Sequence, residues 1–319
     1  MKTVAFDAGK LCERGTTIAL FDYAFHNQKT LGNKSVVFYR KSGSNEQVLE
    51  KFAATLEMIA VSSFDEIDLY LAERGIDVIY VLRSGGAGPV SKVAKTCVHT
   101  VFTCKEPHGD VYASIAPWVE GNDGKYPVVP HMVDLPEVDG DLRDELGIPS
   151  DAVVFGGYGG ADNFNIPAAI RAVYCVALNH PSIYFLFANF HQFCPPPPNI
   201  IHLPMIVDVE RKVRFINTCD AMIWGRADGE VMSMSMGEFS IKNKPIICTK
   251  YLFPEKNIMV GSSSSSWGHV HLLGDKAIWY RNEHDLAKIL TSPIPSGDWN
   301  AYKEYTPEVV MAKFKEVFL

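Results

Sequence analysis

What the chain lacks narrows it first. Its seven cysteines (Cys12, Cys97, Cys104, Cys175, Cys194, Cys219 and Cys248) are odd in number and include no C-x-x-C pair, so neither a disulfide framework nor a zinc ribbon is indicated. Basic runs are missing and the formal net charge is −7, which argues against a general nucleic-acid binder, since phosphate neutralisation needs a basic surface. A local basic pocket stays open. No stretch approaches the roughly 18 apolar residues of a membrane span, and the opening MKTVAFDAGKLCERGTT has no apolar core of signal-peptide length. The expectation is a cytoplasmic protein in a reducing compartment, with attachment to a membrane surface left open. Nucleotide fingerprints are absent too: GGYGGADN places Asp162 or Asn163 where G-x-G-x-x-G needs its third glycine, and no G-x-x-x-x-G-K-[ST] loop occurs.

What is present is ordinary globular material, 319 residues that are 47% hydrophobic and 21% charged. Short apolar runs rich in β-formers alternate with segments of helical period, the signature of an α/β fold with a mainly parallel sheet. The pattern occurs twice. In the first half KTVAFDA, KSVVFYR, IDVIYVL and CVHTVFTC read as strands. Helices are expected over IALFDYAFHNQKTLG, NEQVLEKFAATLE, SFDEIDLYLAERG and GPVSKVAKT, with CERGTT as a turn. Residues 125–151 carry four prolines and a run of acids, the look of a connection between domains. Beyond them AVVFGGYGG reads as a strand and Gly-rich turn, IPAAIRAVYCVALN as a helix with Pro167 in its first turn, and SIYFLFAN, IIHLP, DAMIWG and KPIICTK as further strands. The run GSSSSSWG at 261–268 reads most simply as a flexible loop, and His269 and His271 as same-face residues of a strand, with no convincing metal site.

The expected architecture is two α/β domains, residues 1–136 and 137–298, with ligands in a cleft outside the carboxyl ends of the strands. A final helix in 299–319 either finishes the second domain or crosses back to the first. Glu230 falls in the loop after DAMIWG and Glu238 in a helix before KPIIC, with seven residues between them. Taken alone, such a pair is most often two solvated acids.

The order strand, loop Glu, seven residues, helix Glu, strand resembles the E-x7-E signature of retaining GT-B-fold glycosyltransferases, specifically the glycosyltransferase family four group. YPVVPHMVDLPEVDGDLRDELGIPSDAVVFGGYGG looks like that family's interdomain stretch, and RGTTIALFDYAFHNQKTLGNKSVVFY like its first loop, helix and second strand. The resemblance implies two Rossmann-like domains facing each other across a cleft. It also implies sugar transfer from a nucleotide-diphosphate sugar, UDP or GDP being the expected nucleotide, to a hydroxyl of a glycan or glycoconjugate. Retention of configuration and no need of a metal or other cofactor come with it, and the final helix is expected to cross back.

Carried over by position, Glu230 meets the donor sugar, Glu238 the ribose, and His108 in FTCKEPHGD reaches the sugar. Tyr158, Met236 and Gly237 join the donor side, while Gly15, Thr16 and Thr17 form the acceptor side. The family's basic pair after the first strand of the nucleotide domain is missing. The amides of Gly157, Gly159 and Gly160 and the charge of Arg226 are the candidate substitutes. Plainer readings stand beside these: a tight turn for the glycines, a solvated loop residue for His108, an N-cap for Thr16 or Thr17. An epimerase or hydrolase on the same fold, or a binding subunit without catalysis, are the competing functions.

Overall fold

A computed structural model of the chain describes residues 1–12 and 15–319, and the CERGTT turn falls partly outside that range. The chain divides into two compact units, residues 1–132 with 304–319, and residues 133–303.

In unit 1 the order is β1 (Thr3–Gly9), α1 (Gly15–Lys29), β2 (Lys34–Tyr39), α2 (Glu46–Ala53), β3 (Glu57–Ala60), α3 (Phe64–Arg74), β4 (Val78–Arg83), β5 (Lys95–Thr100) and β6 (Val111–Ser114). These strands form a parallel six-stranded sheet in the order β3-β2-β1-β4-β5-β6. The central strands are apolar without alternation because both faces are covered, and Val4, Phe6, Val37, Phe38, Ile79 and Val81 are fully buried. Helix ends follow local chemistry: Asn45 and Ser63 cap α2 and α3 by accepting from the Val48 and Glu66 amides, and Gly75 closes α3 at φ 62°.

Unit 2 contains α4 (Arg143–Leu146), β7 (Val153–Tyr158), α5 (Pro167–Asn179), β8 (Ile183–Ala188), β9 (Ile200–Leu203), α6 (Val209–Thr218), β10 (Ala221–Ile223), α7 (Met234–Ile241), β11 (Ile246–Cys248), β12 (Tyr251–Phe253), β13 (Ile258–Met259), α8 (Gly268–Leu273), β14 (Ala277–Trp279) and α9 (Glu283–Leu290). Its main sheet is also parallel and six-stranded, in the order β14-β11-β10-β7-β8-β9, with β12 and β13 as a separate hairpin. The last helix, α10 (Pro307–Phe318), belongs to unit 1. Its Phe314 and Phe318 rings pack against Tyr80, tilted and edge-on, at 5.2 and 5.3 Å, and Lys2 Nζ donates to the Leu319 carbonyl.

Several expectations fail locally. The segment GPVSKVAKT forms no helix, and β5 already begins at Lys95; the β4–β5 and β5–β6 connections run back as coil. The second expected helix stops at Ala53, and its last expected residue, Glu57, opens the edge strand β3. His269 and His271 lie on a helix rather than a strand. The serine run is a packed turn: a Cβ on Gly229 would stand 2.1 Å from the Ser266 carbonyl, and the Glu230 amide donates to that oxygen at 2.8 Å.

Candidate active site

Strand order in unit 2 reverses between β7 and β10, since the chain steps outward through β8 and β9 and then returns to β10, β11 and β14. Connections on the two sides leave in opposite directions at such a point, which opens a crevice beyond the carboxyl ends of the two strands. Tyr158 ends β7 there, Trp224, Gly225 and Arg226 follow β10, and the first turns of α6 and α7 start at the same edge.

Glu238 lies in α7 and is buried, with 6% of its surface exposed. Lys212, in the first turn of α6, donates to its Oε1 at 2.8 Å, and the Tyr158 hydroxyl donates to Oε2. Burial, reinforced by the adjacent carboxylate, raises the Tyr158 pKa well above its ordinary value, so the hydroxyl keeps the proton it donates. Lys212 also lies 5.9 Å over the Tyr158 ring. Sequence reading missed Lys212 because it searched for a cation in GGYGGADNFNIP. The available signal was position: Lys212 falls four residues after Asp208, which caps α6 by accepting from the Arg211 amide.

Glu230 is matched in the same manner. Arg226 Nη1 donates to Oε2 at 3.3 Å, and Trp224 Nε1 approaches Oε1 at 3.5 Å. Burial pushes the Glu230 carboxyl up, and Arg226 opposes that shift. Trp224 is held from behind by His269, whose ring centroid lies 4.6 Å away and whose Nε2 donates to the Thr249 carbonyl at 3.1 Å. His269 is fully buried. Among the described residues no three His, Cys, Asp or Glu side chains come together as a metal site requires.

The other expected residues divide. Gly159 and Gly160 lie in the turn after β7, but Gly157 is inside the strand, in register with Phe187. A Cβ on Gly157 would stand 2.8 Å from the Ile223 carbonyl, so closeness of β7 to β10 explains that glycine. Met236 and Gly237 do not offer amides to a donor, because Ser233 already accepts both, through Oγ and its carbonyl respectively. Their sides are interior as well: Met236 is fully buried, and a Cβ on Gly237 would stand 2.6 Å from Val133 Cγ2. The amides of Met234 and Ser235 are the first-turn donors that helix geometry leaves over. In the stretch SMSM at 233–236 the roles divide, Ser233 serving as the cap and Met236 as core.

In unit 1, Gly15, Thr16 and Thr17 form the first turn of α1, beyond the carboxyl end of β1, and Thr17 is buried with Oγ1 3.3 Å from Cys12 Sγ. None of the three is the cap itself. The structure does not bring His108 to that edge. It sits on the return segment before β6, two residues ahead of Asp110, which pairs with Thr96 at the amino end of β5. Its Nδ1 is 2.8 Å from the Glu106 carbonyl.

No family model matches the sequence, and a search of curated proteins finds no relative. Solved structures do match, over nearly the whole chain. HepE of Anabaena, in complex with UDP-glucose, is 12% identical with a TM-score of 0.63, covering 100% of this chain and 96% of its own. AviGT4, a glycosyltransferase involved in avilamycin A biosynthesis, is 12% identical with a TM-score of 0.62, covering 100% and 97%. The fold is GT-B. A UDP-N-acetylglucosamine 2-epimerase also shares this GT-B fold, at 10% identity and a TM-score of 0.55, covering 99% and 95%. In this GT-B chain no helix of the described residues is long and apolar enough to cross a membrane.

Proposed function

We propose that the protein transfers a sugar from a nucleotide-diphosphate sugar to a hydroxyl of a glycan or glycoconjugate, with retention and without a metal ion. The observation that carries this is Glu238, a buried carboxyl group paired with Lys212 at 2.8 Å at the β7/β10 switch point of a GT-B chain. Each carboxylate oxygen accepts more than one hydrogen bond, so Glu238 can serve ribose hydroxyls while keeping Tyr158 and Lys212. Glu230 meets the sugar as positive charge builds at its anomeric carbon. The departing diphosphate is met by the amides of Met234 and Ser235 and by the charge of Arg226 and Lys212. Gly15, Thr16 and Thr17 are proposed to meet the acceptor. His108, on its return segment, has no assigned part in this chemistry.

Lys212 supports catalysis over the reading as a binding subunit without catalysis, because it adds a cation to Arg226 at this edge. An epimerase or hydrolase remains the second reading, because the fold is shared with a 2-epimerase. Product analysis separates the two: free sugar or an isomerised nucleotide sugar formed without acceptor identifies the latter. Glu238→Ala is expected to abolish nucleotide-sugar binding in calorimetry, and unchanged affinity would sink the assignment. Glu230→Gln is expected to lower turnover by about 10²–10³-fold while donor affinity stays within about tenfold, measured by initial rates and calorimetry.

A further inference from the structure

Unit 1 has a switch point of its own, between β1 and β4. The whole chain is acidic, yet Lys10 just after β1, Arg40 and Lys41 just after β2, and Arg83 at the end of β4 all gather at this carboxyl edge. Asp7, buried in β1, is engaged by Arg40, with Nη1 to Oδ1 at 3.0 Å and Nη2 to Oδ2 at 3.5 Å. Arg83 has no such partner. Its Nε and Nη2 are closed off from solvent and meet no acceptor among the described residues. Burial lowers its pKa, with Asp7 and Arg40 both close enough to act on it, and a guanidinium stays charged regardless. Of the other acids near this edge, Glu46 is exposed in the first turn of α2 and Glu106 Oε2 accepts from the Ala87 amide.

Nε and Nη2 form the side-on edge of a guanidinium, two parallel donors spaced for the two oxygens of a carboxylate or phosphate. A buried donor left unmet is costly, so a pair of them calls for an explanation beyond packing. The segment against them is Ser84–Gly88, with glycine at 85, 86 and 88. A Cβ on Gly88 would stand 3.1 Å from Arg83 Cζ, and Gly85 holds φ +130° where a Cβ would collide with Thr103 Cγ2 at 2.3 Å. Small residues there let the backbone lie on the guanidinium, and this glycine segment is what must yield for an oxyanion to reach Nε and Nη2.

We infer that the β1/β4 switch point binds an oxyanion, a carboxylate or phosphate, on the side-on edge of Arg83 with Arg40 beside it, and that the sugar acceptor carries this group. The assignment to the acceptor rests on the proposed transferase activity; the anion site itself rests on Arg83. The test is calorimetric titration of the full chain with glucose 6-phosphate, glucuronate and neutral glucose, on wild type, Arg83→Gln and Arg83→Lys, with UDP-glucose titrated in parallel. At least one charged sugar is expected to bind about tenfold or more tighter than glucose, and which one it is tells phosphate from carboxylate. Arg83→Gln should erase that preference while melting as cooperatively as wild type, and Arg83→Lys, a point charge without the fork, should restore only part of it. Equal binding of all three sugars, or an Arg83→Gln variant that keeps the preference, overturns the inference. If the preference is present and Arg83-dependent but no nucleotide sugar binds, the anion site holds and the transferase assignment falls.

Discussion

The two switch points use charge in opposite ways. At β7/β10 each acid has its own cation and ring donor: Glu238 has Lys212 and Tyr158, Glu230 has Arg226 and Trp224. At β1/β4 Asp7, the single buried acid there among the described residues, serves Arg40, and Arg83 is left with two unmet donors. One crevice is internally neutralised and the other carries surplus positive charge. In the first, the paired acids suit the hydroxyls of a ligand and their cations can be shared with its diphosphate, while an unpaired guanidinium suits a ligand that brings the missing charge.

The largest expected effect comes from breaking the pairing in unit 2. Lys212→Met strands the Glu238 carboxylate without its cation and should cost unit 2 about 3 kcal/mol, read from denaturant titration. Lys212→Met combined with Glu238→Gln should recover part of that loss, because the buried charge goes with its partner; a fully additive double variant would break the picture of a matched pair. Nucleotide-sugar affinity should fall in both.

Acid sharpens the contrast between the units. In unit 1, burial holds His99 at a pKa of about 3, helped by His131, and His131 at about 4, against an ordinary value of 6.5. Tyr80 hydroxyl lies 2.7 Å from His99 Nδ1, and Tyr23 hydroxyl 3.2 Å from His131 Nδ1. Unit 2 has His269, at about 4, and His202, which burial also lowers. These rings stay neutral when folded and take protons when unfolded, so stability is full above pH 6.5 and is lost as pH falls from 6.5 towards 4. Each contributes a slope of about 1.4 kcal/mol per pH unit. Hydrogen exchange between pH 7 and 5 should therefore show protection falling in both units, more steeply in unit 1, where both rings are deeply buried. His131→Gln should flatten the unit 1 slope; an unchanged slope would show that other groups set it.

The smallest effect expected is local. Ser233→Ala removes the hydroxyl that accepts from the Met236 amide at the start of α7 and should cost about 1 kcal/mol, seen as a lower Tm, with unit 1 protection unaffected.

Legibility in the sequence followed the range of the interactions. Strands such as VAFDA and IYFLFA announced themselves because burial on both faces demands uninterrupted apolar residues, and the spacing of Glu230 and Glu238 between two such strands marked the edge where they stand. Elements that failed were those decided by neighbours. GPVSKVAKT has tolerable helix formers after its Gly-Pro, but Asp68 of α3 accepts from the Ser91 hydroxyl and the Lys92 amide, which pins the segment as coil. The serine run looked flexible because small polar residues carry no periodicity, although Ser266 fills the space left by Gly229 and Gly261.

By itself the sequence determined the alternation that makes two parallel sheets, the caps and glycines that end their helices, and the placing of two acids after one strand. Those are properties of residues within a few positions of one another, where spacing along the chain is spacing in space. Only the tertiary structure decided which charge meets which acid. Lys212 and Glu238 are separated by a strand and a loop, while Arg83 lies five elements beyond the Asp7 whose charge acts on it, and each approach exists only because a reversal of strand order brings distant parts of the chain to one sheet edge.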